Sequence, residues 1–185
     1  MWINKILKFS LIVILITGWI FSGWPQIFNF PPKIQQALAV TDTYSTAGAF
    51  TWTAPANVYS ATVACWGGGG GGGVHANQAG GGGGGGAYAL STVSVTPGTG
   101  YAVVIGAGAI SDSIVEGGDS TFASTVVVAD GGIGTGGGAA GTGGTLLDST
   151  GDVKFAGGDG GISNSSGDVS GGGGEDFAVL GDITK

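Results

Sequence analysis

The residues that could do chemistry are few. The chain holds one histidine, His75, and one cysteine, Cys65. His75 could serve as a general base, but no nucleophile motif or paired carboxylate accompanies it. It falls between two glycine runs, where a solvated loop position is expected. Cys65 shares a strand face with Val63, so a small buried hydrophobe is expected ahead of an intermolecular disulfide. Asp119, Asp130, Asp152, Asp159 and Asp168 each flank a glycine and could ligate Ca²⁺. Neither the EF-hand spacing nor a G-G-x-G-x-D nonapeptide frames them, so turn-capping roles are expected instead. Gly136-x-Gly138-x-x-Gly141 spells the dinucleotide fingerprint, yet no strand–turn–helix setting surrounds it. Trp52 and Trp66 are expected in the core ahead of a sugar-stacking platform. No catalytic residue, metal site or cofactor site is therefore assigned, and the partner-binding residues stay open.

The composition narrows the function classes. Of 185 residues, 43 are glycine and only 5 are proline, with no Gly-X-Y period, which excludes collagen. The 5 basic residues are all lysine, against 12 acids, for a net charge of −7. Without arginine and with a pI near 4.1, nucleic acid is not an expected partner. A single histidine and a single cysteine cannot build most all-protein zinc sites or any internal disulfide.

The first elements to place are those of the N-terminus. Lys5 and Lys8 precede a run without charge, Phe9 to Trp24, and Ala37-Leu38-Ala39 follows as an A-x-A site. This order reads as a signal peptide over 1–39, with an uncleaved N-terminal anchor helix over 9–24 as the alternative. Both put the remainder outside the cytoplasm. Membrane contact is expected only through that segment. Cleavage after Ala39 leaves 2 lysines against 12 acids, a net charge of −10.

Residues 40–185 form the expected glycine-rich domain, in two parts. Over 40–129 the pattern is short strands. Phe50 to Thr53 alternates; Ala61, Val63 and Cys65 take one face, and Thr62, Ala64 and Trp66 the other. Tyr88 to Val93 alternates again, and Tyr101 to Ile105 and Thr125 to Ala129 are short enriched runs. Pro97-Gly98 suits the centre of a type II turn. About six closely spaced strands suggest an antiparallel β-sandwich, jelly-roll-like. Two pure runs, Gly67 to Gly73 and Gly80 to Gly86, flank Val74 to Ala79. Equal in length and set between strand-like segments, they are expected as antiparallel polyglycine II helices and not as a linker. Over 130–185 shorter glycine tracts recur, with a weak repeat at an offset of sixteen. A further array is expected there, truncated or disordered in part.

The ordered set of motifs resembles the bacterial and phage glycine-rich domain family. It comprises Phe50-Thr51-Trp52-Thr53-Ala54-Pro55, Ala61 to Gly67, Ala87-Tyr88-Ala89, Val93 to Gly98, Val104 to Gly108 and Gly117 to Phe122. The resemblance implies a β-sandwich with packed polyglycine helices, similar to that of some phage adhesins, and no catalytic residues. The expected function is that of an exported, non-enzymatic surface protein with a structural or adhesive role. Its partner would be a cell-surface glycan or protein. A carbohydrate-binding module is the alternative.

Overall fold

The computed structural model describes residues 41–76, 79–112, 114–163 and the strand Ala178–Leu180. The expected signal or anchor segment and its cleavage site lie outside the described residues, as does Asp168. Among the described residues there is no helix, and so none long and apolar enough to cross a membrane. The domain is all-β.

Among the described residues nine strands form: β1 (Asp42–Tyr44), β2 (Gly48–Thr53), β3 (Ser60–Trp66), β4 (Tyr88–Ser94), β5 (Gly100–Ile105), β6 (Ser120–Phe122), β7 (Val127–Ala129), β8 (Val153–Phe155) and β9 (Ala178–Leu180). They build two antiparallel sheets, ordered β1-β9-β3-β4-β8 and β2-β5-β6-β7. Alternation sets the registers. β3 and β4 pair from Ser60 against Ser94 to Trp66 against Tyr88, so Ala61, Val63 and Cys65 face inward with Ala89 and Val93. From the other sheet come Trp52, Val103, Ile105, Phe122, Val127 and Ala129, and both sets meet in one core. Trp52 also donates from Nε1 to Asp42 Oδ2 at 2.9 Å, which ties β2 to β1. Gly98 takes φ +76° and Thr99 N–H donates to Thr96 O, as the type II turn at Pro97-Gly98 requires.

Beyond the sheets the strands run on as extended rods. Gly67, Gly70 and Gly73 donate to the carbonyls of Ala87, Gly84 and Gly81. A bond at every third residue is the signature of a segment with three residues per turn and no internal hydrogen bonds. The same donor interval recurs in the other rods, with the acceptors slipping by one residue between Ile133 and Gly137. Gly81, Gly84 and Ala87 donate to Gly137, Ile133 and Asp130, and Gly82 and Gly85 donate to Gly161 and Gly158. Ala109 and Asp112 donate to Gly69 and Gly72, and Gly132 and Thr135 to Gly68 and Gly71. Gly157, Gly160 and Ser163 donate to Gly144, Gly141 and Gly138. The rods keep the strand order: 67–73, 80–87 and 156–163 extend β3, β4 and β8, while 106–112, 115–118 and 130–137 extend β5, β6 and β7. Residues 138–145 add one more rod beside 130–137. Backbone thus satisfies backbone between segments instead of within them.

Purity of sequence follows from position. A Cβ on Gly67 or Gly70 would collide with the backbone at Asp130 or Ile133, and one on Gly83 with the Gly70 carbonyl. Outer rods have a free third face, and side chains sit there at the same interval. On rod 156–163 that face carries Ala156, Asp159 and Ile162, all exposed, while Gly157, Gly158, Gly160 and Gly161 bond inward.

Candidate functional site

Two places gather side chains that could act. The first is where strands become rods. β7 ends at Ala129, and Asp130 opens the rod that follows; Glu116 and Asp119 come from the stretch entering β6. Their carboxylate oxygens lie within 4.8 Å of one another, the one group among the described residues that could hold a metal. Asp119 Oδ1 accepts from Gly131 N–H at 3.1 Å, and Asp130 Oδ2 from Thr145 N–H at 2.7 Å. Ser149 Oγ accepts from Asp130 N–H and donates to Thr145 O, closing the loop above. Asp148 holds Thr145 Oγ1 at 2.7 Å.

Burial raises the Glu116 carboxyl above its ordinary value, and the neighbouring Asp130 raises it further. Burial raises Asp119 as well, against the lowering pull of the Gly131 N–H. Proton uptake, like a cation, would relieve the crowding of these carboxylates. Two of the six carboxylate oxygens, Asp119 Oδ1 and Asp130 Oδ2, are already taken by backbone N–H groups. The cluster is a clamp between rods before it is a ligand set.

The expected turn-capping roles need correction. Asp119, Asp130 and Asp159 do bond backbone N–H groups, but across the array instead of in their own turns. Asp159 Oδ1 accepts from Gly143 N–H at 2.9 Å, sixteen residues away. In a tract with so little side chain, the nearest orphan donor belongs to the neighbouring rod. Asp152 uses its N–H, which donates to Leu90 O and Ser91 Oγ. Glu116 was not singled out by sequence reasoning; only the register of rod 115–118 against rod 130–137 brings it to Asp130.

The second place is the far end of the rods. The turn after Gly73 carries Val74, His75 and Ala76, all exposed. Val74 N–H donates to Asp112 Oδ1 at 3.3 Å, joining this turn to the end of rod 106–112. Gly136, Gly137 and Gly138 make the adjacent turn, with Gly137 at φ +66°. The fingerprint Gly136-x-Gly138-x-x-Gly141 is therefore a tight reversal between two rods, and no helix follows it. Ser163 closes rod 156–163 by donating to Gly138 O. The turns after Gly73 and at Gly136–Gly138 and the end of rod 106–112 lie together here.

The family model for the glycine-rich domain matches residues 44–182. The chain belongs to the glycine-rich domain family. A comparison with curated proteins finds no match. Within this glycine-rich domain the remaining candidates separate cleanly. Cys65 is buried, and burial pushes its thiol up to about 12, which leaves it inert at neutral pH. Trp52 is in the core at 3% exposure. Trp66 is not, which corrects the expectation for it. It sits half-buried on the outer face of β3, its ring 4.9 Å from Tyr88, which in turn stacks on Phe155 at 6.0 Å. Alternation requires this, since Trp66 lies one residue out of phase with Cys65. The Trp66 and Tyr88 rings are tilted by 58°, so the row is a herringbone and not a flat platform.

Proposed function

We propose that this glycine-rich domain is an exported, non-enzymatic structural or adhesive module at a cell surface. In this reading the two sheets are a jelly-roll-like β-sandwich and the rods are polyglycine II helices, as in phage adhesins. The sandwich is the base, and the rods carry a set of turns outward to a protein or glycan partner. One observation supports it above others: bonds at every third residue hold the rods in register, so turns distant in sequence finish at one end. A scaffold of this kind needs no reactive group, and the inert Cys65 and isolated His75 agree with that.

The test is binding by the full chain to cells and to a glycan array. Scrambling Val74 to Ala79, which includes Asn77 and Gln78 outside the described residues, should abolish binding while leaving the melting temperature within a few degrees. Export is tested separately by N-terminal sequencing, which should begin at Val40 or find the intact chain with the membrane. Intact protein free in the cytoplasm would sink the localisation.

The carbohydrate-binding alternative has one observation in its favour, the row Trp66, Tyr88 and Phe155, with Phe155 63% exposed. Stacking on a pyranose is open to such rings. Glycan binding lost in Phe155→Ala and kept in the scrambled turn would move the conclusion to that reading.

A further inference from the structure

We propose that the far end of the rod array contacts lipid, with Val74, Ile110, Ile114 and Ile162 entering the acyl boundary of an uncharged bilayer. The inference rests on the reading of the array as a presenter of its turns. It departs from the expectation that the N-terminal segment alone meets a membrane.

The registers bring the four side chains to one end. Gly73 donates to Gly81, and Gly82 donates to Gly161, which levels Val74 with Ile162 across rod 80–87. Thr135 donates to Gly71 and Asp112 to Gly72, so rods 130–137 and 106–112 reach the same height. The Ile114 Cγ2 lies 3.9 Å from where a Cβ on Gly136 would stand. Ile110 is about one turn further back, its carbonyl beside Gly71. These side chains are 56%, 78%, 77% and 68% exposed for Val74, Ile110, Ile114 and Ile162.

Nothing in the packing asks for aliphatics there. Rod 156–163 carries Ala156, Asp159 and Ile162 at one interval, with Asp159 Oδ1 turned to Gly143 N–H, so the position of Ile162 does not itself require an aliphatic. Apolar residues gathered at an exposed end mark a contact surface.

The chemistry of the end selects the partner. The described residues there include no lysine or arginine, and the one ring is the exposed His75 imidazole. An anionic headgroup or phosphate has no lysine or arginine to meet, and a sugar has no phenyl or indole face to stack on. Asp112 is already engaged by Val74 N–H. Protein hot spots draw on Trp, Tyr and Arg seated in pockets, whereas these are bare aliphatics on turns and rod ends. Aliphatic side chains without a basic face bind by buried apolar area alone, and a chain of net charge −7 is repelled by anionic lipid. A zwitterionic phosphatidylcholine surface fits.

The buried Cys65 makes the experiment clean, because an introduced cysteine becomes the reactive thiol. Ile162→Cys and Ile114→Cys in the full chain, each carrying an environment-sensitive fluorophore, are mixed with phosphatidylcholine vesicles containing a lipid-borne quencher. Thr51→Cys, on an exposed face of β2, is the reference. Both end positions should shift to the blue and be quenched, with Thr51 unchanged. Ile110→Ser combined with Ile162→Ser should cut vesicle partitioning at the end, read by a label at position 114, by roughly tenfold or more. Water-like emission at both end positions overturns the inference, whether the chain is bound through its N-terminal segment or not bound at all. So does an equal response at Thr51. If the scrambled turn still abolishes cell binding in that case, the presenter reading stands and only its lipid partner falls.

Discussion

In the sheets, the space between backbones is filled by side chains: Phe122, 1% exposed, stacks on Tyr101 at 5.5 Å and meets Trp52 at 5.9 Å. In the rods, the space between Gly70 and Gly83 is filled by peptide groups, and no side chain could enter. The sheets follow the ordinary rule that apolar area removed from water offsets chain entropy. The rods have almost no such area. They set a dense lattice of hydrogen bonds and close backbone contacts against the large entropy of ordered glycine. One half is thus vulnerable to the loss of atoms and the other to their gain.

The sharpest way to break that contrast is to exchange the insults. Phe122→Ala should destabilise the domain by about 3–5 kcal/mol, the usual result of emptying a core aromatic site, read by denaturant melts. A much smaller loss would mean that the rods and not the sheets carry the stability. Next in size, Gly70→Ala or Gly83→Ala should destabilise by about 1–3 kcal/mol through overpacking. Unchanged or raised stability at both positions would return the central runs to the status of linker. Gly158→Ala carries the opposite sign. A Cβ there meets nothing within 4 Å and its φ is not left-handed, so the change should stabilise by about 0.4–1 kcal/mol through the unfolded chain. A loss there would show the third face to be occupied.

The smallest expected effect concerns the clamp between the halves. Glu116 and Asp119 have their folded-state values raised, so the folded chain holds protons more tightly than the unfolded one. Their contribution is complete below the unfolded carboxylate range, about pH 4, and is lost as pH rises through the raised values. Glu116→Gln should therefore lift the melting temperature at neutral pH and flatten its fall above about pH 4. A steeper fall in the variant would remove the account of crowded carboxylates.

Much of the sheet half was legible because alternation is local. β2, β3, β4 and β5 and the turn at Pro97-Gly98 follow from period two and turn chemistry. The outward position of Trp66 was also available from its phase, though a large aromatic beside a core strand pulls the eye inward. β8 escaped because three residues, Val153 to Phe155, carry no period of their own and stand among glycines. They become a strand only by pairing with Tyr88 to Leu90. The meeting of Glu116 with Asp119 and Asp130 was not legible either. It depends on which rod lies beside which, and glycine tracts give no side-chain pattern from which to choose a neighbour.

The interval of three has a consequence for how such a domain can change over generations. Removing or adding one residue inside a rod turns everything beyond it by a third of a revolution, which swings Ile162 from water into a neighbour's backbone. Only steps of three preserve the phase, and a rod hemmed in on several sides must lengthen together with the rods that cradle it. Length variation in this half should therefore come in triplets and in concert, while the turns at the far end, free of any phase, can drift one residue at a time.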